Sequence, residues 1–124
     1  MNAKVENNRT GDFLLSEANG SYSRENDILA AGAGVLQAGT VLGRRTSDNK
    51  LVPLNPAADP ADGSEKVAGV LWAGADATTA DVAVVSVCRA AEAKAEGLQW
   101  PAGITTPQQT TAIAQLAELG IVLR

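Results

Sequence analysis

Apolar and polar positions are unevenly spread along the chain, and the change in pattern divides it in two. Residues 1–27 are rich in Asn, Ser, Gly, Glu and Arg, and their larger hydrophobes are chiefly Phe13, Leu14, Leu15 and Tyr22. Such a stretch buries too little surface to offset its own ordering entropy. Met1–Asp27 is therefore expected to be a flexible N-terminal arm that orders on a partner, with Phe13, Leu14, Leu15 and Tyr22 as its anchors. Residues 28–124 are expected to form the folded domain.

Within that domain the pattern is mainly that of short strands. Ile28–Gly43 is rich in Gly and Ala. Repeated glycine costs a helix about 1 kcal/mol per residue relative to alanine, so short strands with tight bends are predicted there. Val41–Thr46 and Lys50–Leu54 predict a hairpin across Ser47-Asp48-Asn49, whose side chains bond nearby backbone. Pro53 and Pro56 end it, and Asn55–Lys66 reads as a polar loop. Val67–Trp72 predicts a buried strand and Asp76–Ala80 a turn. Asp81–Cys88, with valine on both alternation faces, predicts a strand buried on both sides or packed on a neighbouring subunit. Arg89–Glu96 has helix-forming composition but no cap, and Gly97 closes it within about two turns. Its alternating Glu92, Lys94 and Glu96 suit an extended segment equally. The clearest helix signal is Thr106-Pro107-Gln108-Gln109, with Thr106 as cap, Pro107 at the first helical position and Gln109 completing a capping box. Ala112, Ile113, Leu116 and Ala117 give that helix an apolar stripe. Gly120 ends it, and Ile121-Val122-Leu123 returns as a strand.

Composition narrows the picture. A chain of 124 residues suits one domain. Its aromatic residues are Phe13, Tyr22, Trp72 and Trp100, so the core must be built from Val, Leu, Ile and Ala. These bury less area each, at roughly 25 cal/mol per Å², and association would add stability by mass action. Either tryptophan suits the core or a subunit contact. Net charge is −4 and the basic residues are scattered, only Arg44-Arg45 being adjacent, so no nucleic-acid footprint is expected. No apolar run approaches the ~18 residues of a membrane span, and no signal peptide is read at the polar N-terminus. Cys88 stands alone, which rules out an intrachain disulfide. Its apolar surroundings predict a buried small hydrophobe, and synthesis in a reducing cytoplasm fits.

The chain contains no histidine. Ser-His triads, Cys-His pairs and imidazole metal ligands are thus excluded, as is a structural zinc site within one chain. Asp59, Asp62 and Asp81 could serve acid–base chemistry in principle, but their polar settings point to solvated charge. Gly32-Ala33-Gly34 is not a dinucleotide fingerprint, since Gln37 stands where the third glycine belongs. Asp59, Asp62 and Glu65 lack the spacing and flanking helices of a calcium-binding EF-hand. No enzyme, cofactor or metal is expected.

The order of these pieces resembles the head decoration proteins of tailed phages, the lambda protein D family. The likeness runs from about Gly39 to Arg124. It is carried by Gly39-Thr40-Val41-Leu42, Lys50-Leu51-Val52, Val67-Ala68-Gly69-Val70-Leu71, the valine-rich strand, Leu98-Gln99-Trp100-Pro101, and the final helix and strand. The N-terminal zone and the Asn55–Lys66 loop depart most from the family pattern. The resemblance implies a mainly β, β-clip-like bent ribbon with one short C-terminal helix, and favours an extended Arg89–Glu96. It further implies homotrimers on the outer surface of the expanded icosahedral capsid, at threefold and quasi-threefold sites. Their partner there would be the major capsid protein, and their role non-enzymatic cementing against the pressure of packaged DNA. A tail or baseplate component, or a small β-rich ligand-binding domain, are the alternatives.

Overall fold

The computed structural model describes residues 9–124. Strands β1 (Leu14–Glu17), β2 (Arg24–Leu29), β3 (Gly34–Leu36), β4 (Val41–Arg44), β5 (Leu51–Pro53), β6 (Val67–Leu71), β7 (Ala75–Ala77), β8 (Val82–Val87), β9 (Ala91–Ala93) and β10 (Ile121–Leu123) account for most of its regular structure. One helix, α1 (Thr106–Glu118), and a single 3-10 turn at Ala95–Gly97 complete it. The chain is mainly β with one short C-terminal helix, as its pattern predicts.

Five strands close into a small barrel in the order β2-β5-β4-β6-β8. Closure leaves these strands without an open edge. The longest pairing is β2 with β8, antiparallel from Arg24 opposite Val87 to Leu29 opposite Val82. Leu29, Leu42, Leu51 and Leu71 form a fully buried cluster with Ala77, so leucine supplies the bulk that the scarce aromatics do not. Beside the barrel lies a three-stranded sheet, β1-β9-β10, with β10 parallel and β1 antiparallel to β9. A larger core joins the two layers. Phe13 meets Val41, Val67, Val70, Val87, Leu98, Leu116 and Ile121 in one cluster. Strands β3 and β7 form a separate two-stranded ribbon.

Several expectations are met in altered form. The β4–β5 hairpin forms, and its turn is fixed by Asp48, which accepts from the Lys50 N–H at 3.2 Å, and by Asn49 at φ 62°. Arg89–Glu96 is extended over β9, with Ala91 and Ala93 buried and Glu92 between them turned outward, before it tightens into the 3-10 turn. The segment expected as a plain turn, Asp76–Ala80, contributes Asp76 and Ala77 to β7. Ala-Asp-Ala has too little β propensity to announce a strand. The valine-rich strand is fully buried only towards its end, at Ser86 and Val87, while Val82, Val84 and Val85 are half-exposed.

The helix begins one residue early. Thr105, not Thr106, is the cap: its hydroxyl accepts from the Gln108 N–H at 3.3 Å, and Gln108 Oε1 accepts from the Thr105 N–H at 3.0 Å. The Thr-Thr and Gln-Gln doublets offer two capping-box frames, and the earlier one is used. The buried stripe is Ala112 and Leu116, with half-buried Gln108, Gln115 and Leu119; Ile113 and Ala117, expected inside, face solvent. Gln115 accounts for this rotation, because its Oε1 accepts from the Val67 N–H of β6 at 2.9 Å and fastens that face to the barrel. Gly120, at φ 87°, then turns the chain into β10.

Ser86 is buried to 1% exposure on β8, yet its hydroxyl has no hydrogen-bond partner among the described residues. A buried hydroxyl left unpaired costs more than no hydroxyl at all. Ser86→Ala is therefore expected to keep or raise stability, by up to about 1 kcal/mol. Denaturant midpoints check this, and a clear loss of stability would contradict it.

Candidate functional site

The segment leading into β1 and on to β2 holds all four residues expected to meet a partner, and the structure separates them. Phe13 is 1% exposed and belongs to the main core. Leu14 is half-buried against that core. Leu15 is 47% and Tyr22 63% exposed. Phe13, expected to anchor a partner, is taken up by the core: in a chain so poor in aromatics, the one phenylalanine fills the interior. Leu15 is turned out by a β-bulge. Leu14 pairs with Ala93 and Ser16 with the next residue, Glu92, so Leu15 is the extra residue between them.

Trp72 is what holds this segment down. The Gly11 N–H donates to the Trp72 carbonyl at 2.8 Å. The Phe13 and Trp72 rings meet edge to face, centroids 6.4 Å apart at 79°. The Arg24 guanidinium lies 3.7 Å from the centre of the Trp72 ring and is clamped by Glu17, whose Oε2 accepts from Arg24 Nε at 3.0 Å. Gly11 sits so close to the indole, at φ 66°, that a methyl group there would lie 2.5 Å from Trp72 Cη2. Further along, the Lys94 N–H donates to Phe13 O at 2.7 Å. The buried Ser23 hydroxyl donates to Ala90 O at 2.9 Å and accepts from the Ala18 N–H at 3.0 Å. The residues from Gly11 to Asp27 are thereby packed on the rest of the fold. Contacts of high sequence separation, which composition does not reveal, supply what the segment lacks by itself. The arm expected over Met1–Asp27 overlaps the fold from Gly11 on, and its first eight residues lie outside the described ones.

What remains outward is a surface of mixed character. Ser16, Glu92 and Val122 stand in register across β1, β9 and β10, with Val122 43% exposed and Glu92 3.6 Å from Arg124. Strand β1 lies at the edge of its sheet. Near Tyr22, Arg89 lies 5.4 Å from the ring centre, donates to Tyr22 O at 2.6 Å and pairs with Glu25. Trp100 packs half-buried on the main core and lines a cleft of about 230 Å³ with Val35, Pro53 and Pro101. Sequence reasoning left both tryptophans open; each packs against the main core from a half-buried position.

Several of the carboxylates are engaged in structure. Asp81 accepts from Lys50 Nζ at 2.6 Å and from the Ala31 N–H at 2.8 Å, and these bonds, Lys50 first, hold its pKa below the usual range. The Ser64 hydroxyl lowers that of Asp62, the Thr78 hydroxyl that of Asp76, and Arg45 lowers Asp48 to about 2. Asp27 and Arg44 form a two-pronged pair at 2.8 and 2.9 Å from β2 to β4. Cys88 is half-buried, less than expected, and burial pushes its thiol upward.

The sequence profile of bacteriophage lambda head decoration protein D matches residues 3–121 of the 124. The chain belongs to this family. It is a structural family of the phage capsid, and the match takes in the N-terminal zone that the resemblance from Gly39 onward left out. Comparison with curated proteins gave no match. For a head decoration protein, the outward-facing residues of β1 and the following turn are the candidate contact surface, and Phe13 is the support beneath it.

Two outcomes follow. Phe13→Ala should cost about 3–5 kcal/mol in denaturant unfolding, whereas Leu15→Ala and Tyr22→Ala should stay within about 0.5 kcal/mol of the parent chain. Equal effects would contradict this division of labour. Folded-state carboxylate pKa values below the unfolded 3.8 contribute stability above that value and lose it as pH falls through the folded one. Melting temperature should therefore drop between about pH 4 and pH 2, and Asp48→Asn should flatten part of that slope.

Proposed function

We propose that this chain decorates the outside of the expanded phage head as a homotrimer, at threefold and quasi-threefold positions. There it would bridge major capsid protein subunits and resist the pressure of packaged DNA. The family match over residues 3–121 carries this reading. The geometry supports it: β1 offers an edge to which an extended capsid segment can add by main-chain hydrogen bonds. Leu15 and Tyr22 flank that edge with exposed apolar area. With Phe13 committed to the core, Leu15 and Tyr22 are the anchors, Leu14 contributing from its half-buried position. The protein is made in the host cytoplasm and ends on the outer capsid surface.

Three copies joined in one trimer bind a shell with an effective concentration that single copies lack. The gain depends on spacing, because sites that cannot be engaged together contribute nothing. Expansion of the shell would thus create the binding geometry, and the same bridging would oppose further strain. Neither nucleic acid nor membrane contact enters this scheme. A net charge of −4 disfavours the first, and among the described residues no helix is long and apolar enough to cross a membrane.

Co-sedimentation with unexpanded and expanded shells of its own phage tests the proposal. Saturable binding to expanded shells alone is expected, weakened at least about tenfold in Leu15→Ala/Tyr22→Ala. Deleting residues 1–27 would remove β1 and part of β2, so the double variant is the cleaner probe. Absence of binding to either shell would redirect the reading to a tail or baseplate component. Unchanged binding by the double variant would remove the anchoring role of these side chains.

A further inference from the structure

The turn between β1 and β2 carries Asn19-Gly20, held at its ends and free in its middle. Ala18 donates to Ala90 O and Ser23 Oγ before it, and the Arg24 N–H donates to Ser21 O after it. Asn19 and Gly20 are both exposed, and no atom lies within 4 Å of where a Gly20 side chain would begin. Among the described residues, neither the Gly20 N–H nor the Asn19 side-chain amide has a hydrogen-bond partner.

We propose that Asn19 is a site of spontaneous self-modification, converting to aspartate and isoaspartate through a succinimide. The main-chain nitrogen of Gly20 attacks Cγ of Asn19. A new N–Cγ bond forms, the Cγ–Nδ2 bond breaks, and the departing nitrogen leaves as ammonia with the proton of the Gly20 N–H. Water then adds to one of the two ring carbonyls and reopens the ring. The sum is amide plus water to carboxylate plus ammonium, with no change of oxidation state. Glycine favours the reaction because no side chain obstructs the nitrogen and its backbone reaches unusual angles readily.

Among the described residues, the comparable positions are closed. At Asn49 the following Lys50 N–H is engaged by Asp48 Oδ1 at 3.2 Å. Asn26 lies within β2, paired opposite Val85. Asn55 precedes Pro56, which has no N–H to react. Asp62-Gly63 could cyclise by the same route, but the Gly63 N–H donates to Glu65 Oε2 at 2.9 Å and the Asp62 carboxylate accepts from Ser64. Conversion of Asn19 makes the net charge of −4 one unit more negative. The isoaspartyl product also lengthens the main chain by one carbon, three residues before Tyr22. The site rests on the chemistry of the turn and is independent of the capsid reading.

The test is to age the full chain at mildly alkaline pH beside a synthetic peptide spanning residues 16–23, quantifying aspartate and isoaspartate by peptide mapping. Asn19 in the folded chain should convert within a few-fold of the peptide's rate. It should run roughly tenfold faster than Asn49, whose reaction must first break a backbone hydrogen bond. Asn19→Gln should abolish the acidic variant on isoelectric focusing without moving Tm. An intact Asn19 in the folded chain while the peptide converts, or conversion no faster than at Asn49, would overturn the proposal.

Discussion

The side chain of Trp72, just past the end of β6, receives the approach to β1 from Gly11 onward. Its indole takes Gly11 against its edge, Phe13 edge-on, and Arg24 over its face. Each contact alone is modest: an aromatic pair contributes about 0.5–1.5 kcal/mol and an exposed cation–π contact about 0.5–1 kcal/mol beyond burial. Their effect lies in being simultaneous. Glu17 fixes the guanidinium, Phe13 continues into the main core, and β1 is left in register with β9. The junction fixes the entry to β1, and the pairing with β9 then sets the register and the bulge that exposes Leu15.

This constraint connects stability to function. On the proposed function, a surface that bridges capsid subunits transmits load only if it is fastened to something stiff. The closed barrel provides that stiffness, reinforced across its strands by the Arg44–Asp27 pair and at its rim by Lys50–Asp81. Such pairs contribute little each when exposed. Here they tie loop ends and strands whose short lengths give few hydrogen bonds per pairing. Phe13 and Leu15, two residues apart, accordingly have opposite tasks: one binds the segment inward, and the other is available outward.

Much of the domain was legible in the order of residues. The hairpin at Ser47-Asp48-Asn49, the strands from Val67 and Val82, the capped helix and the final strand all follow from local pattern. So does the absence of histidine chemistry, since composition alone decides it. The N-terminal zone was not legible, because its order depends on Trp72, Ala90 and Lys94, partners remote in sequence. The helix face was misjudged for a related reason: a polar residue, Gln115, faces inward to meet a backbone N–H that no side-chain pattern displays. For the four expected anchors, the pattern could not sort core from surface within Phe13-Leu14-Leu15. Neighbouring hydrophobes in a bulged strand point in directions that only the partner strand fixes.

Hydrogen exchange of the free protein, followed residue by residue and repeated on expanded shells, tests the central claim most directly. The claim is that residues from Gly11 onward belong to the folded domain before any partner is met. The account predicts that the amides of β1 and of Lys94 in the free chain are protected together with the barrel strands, and that shells add protection mainly around Leu15 and the Asn19–Tyr22 turn. Exchange of β1 at open-chain rates in the free protein, with protection appearing only on the shell, would contradict it.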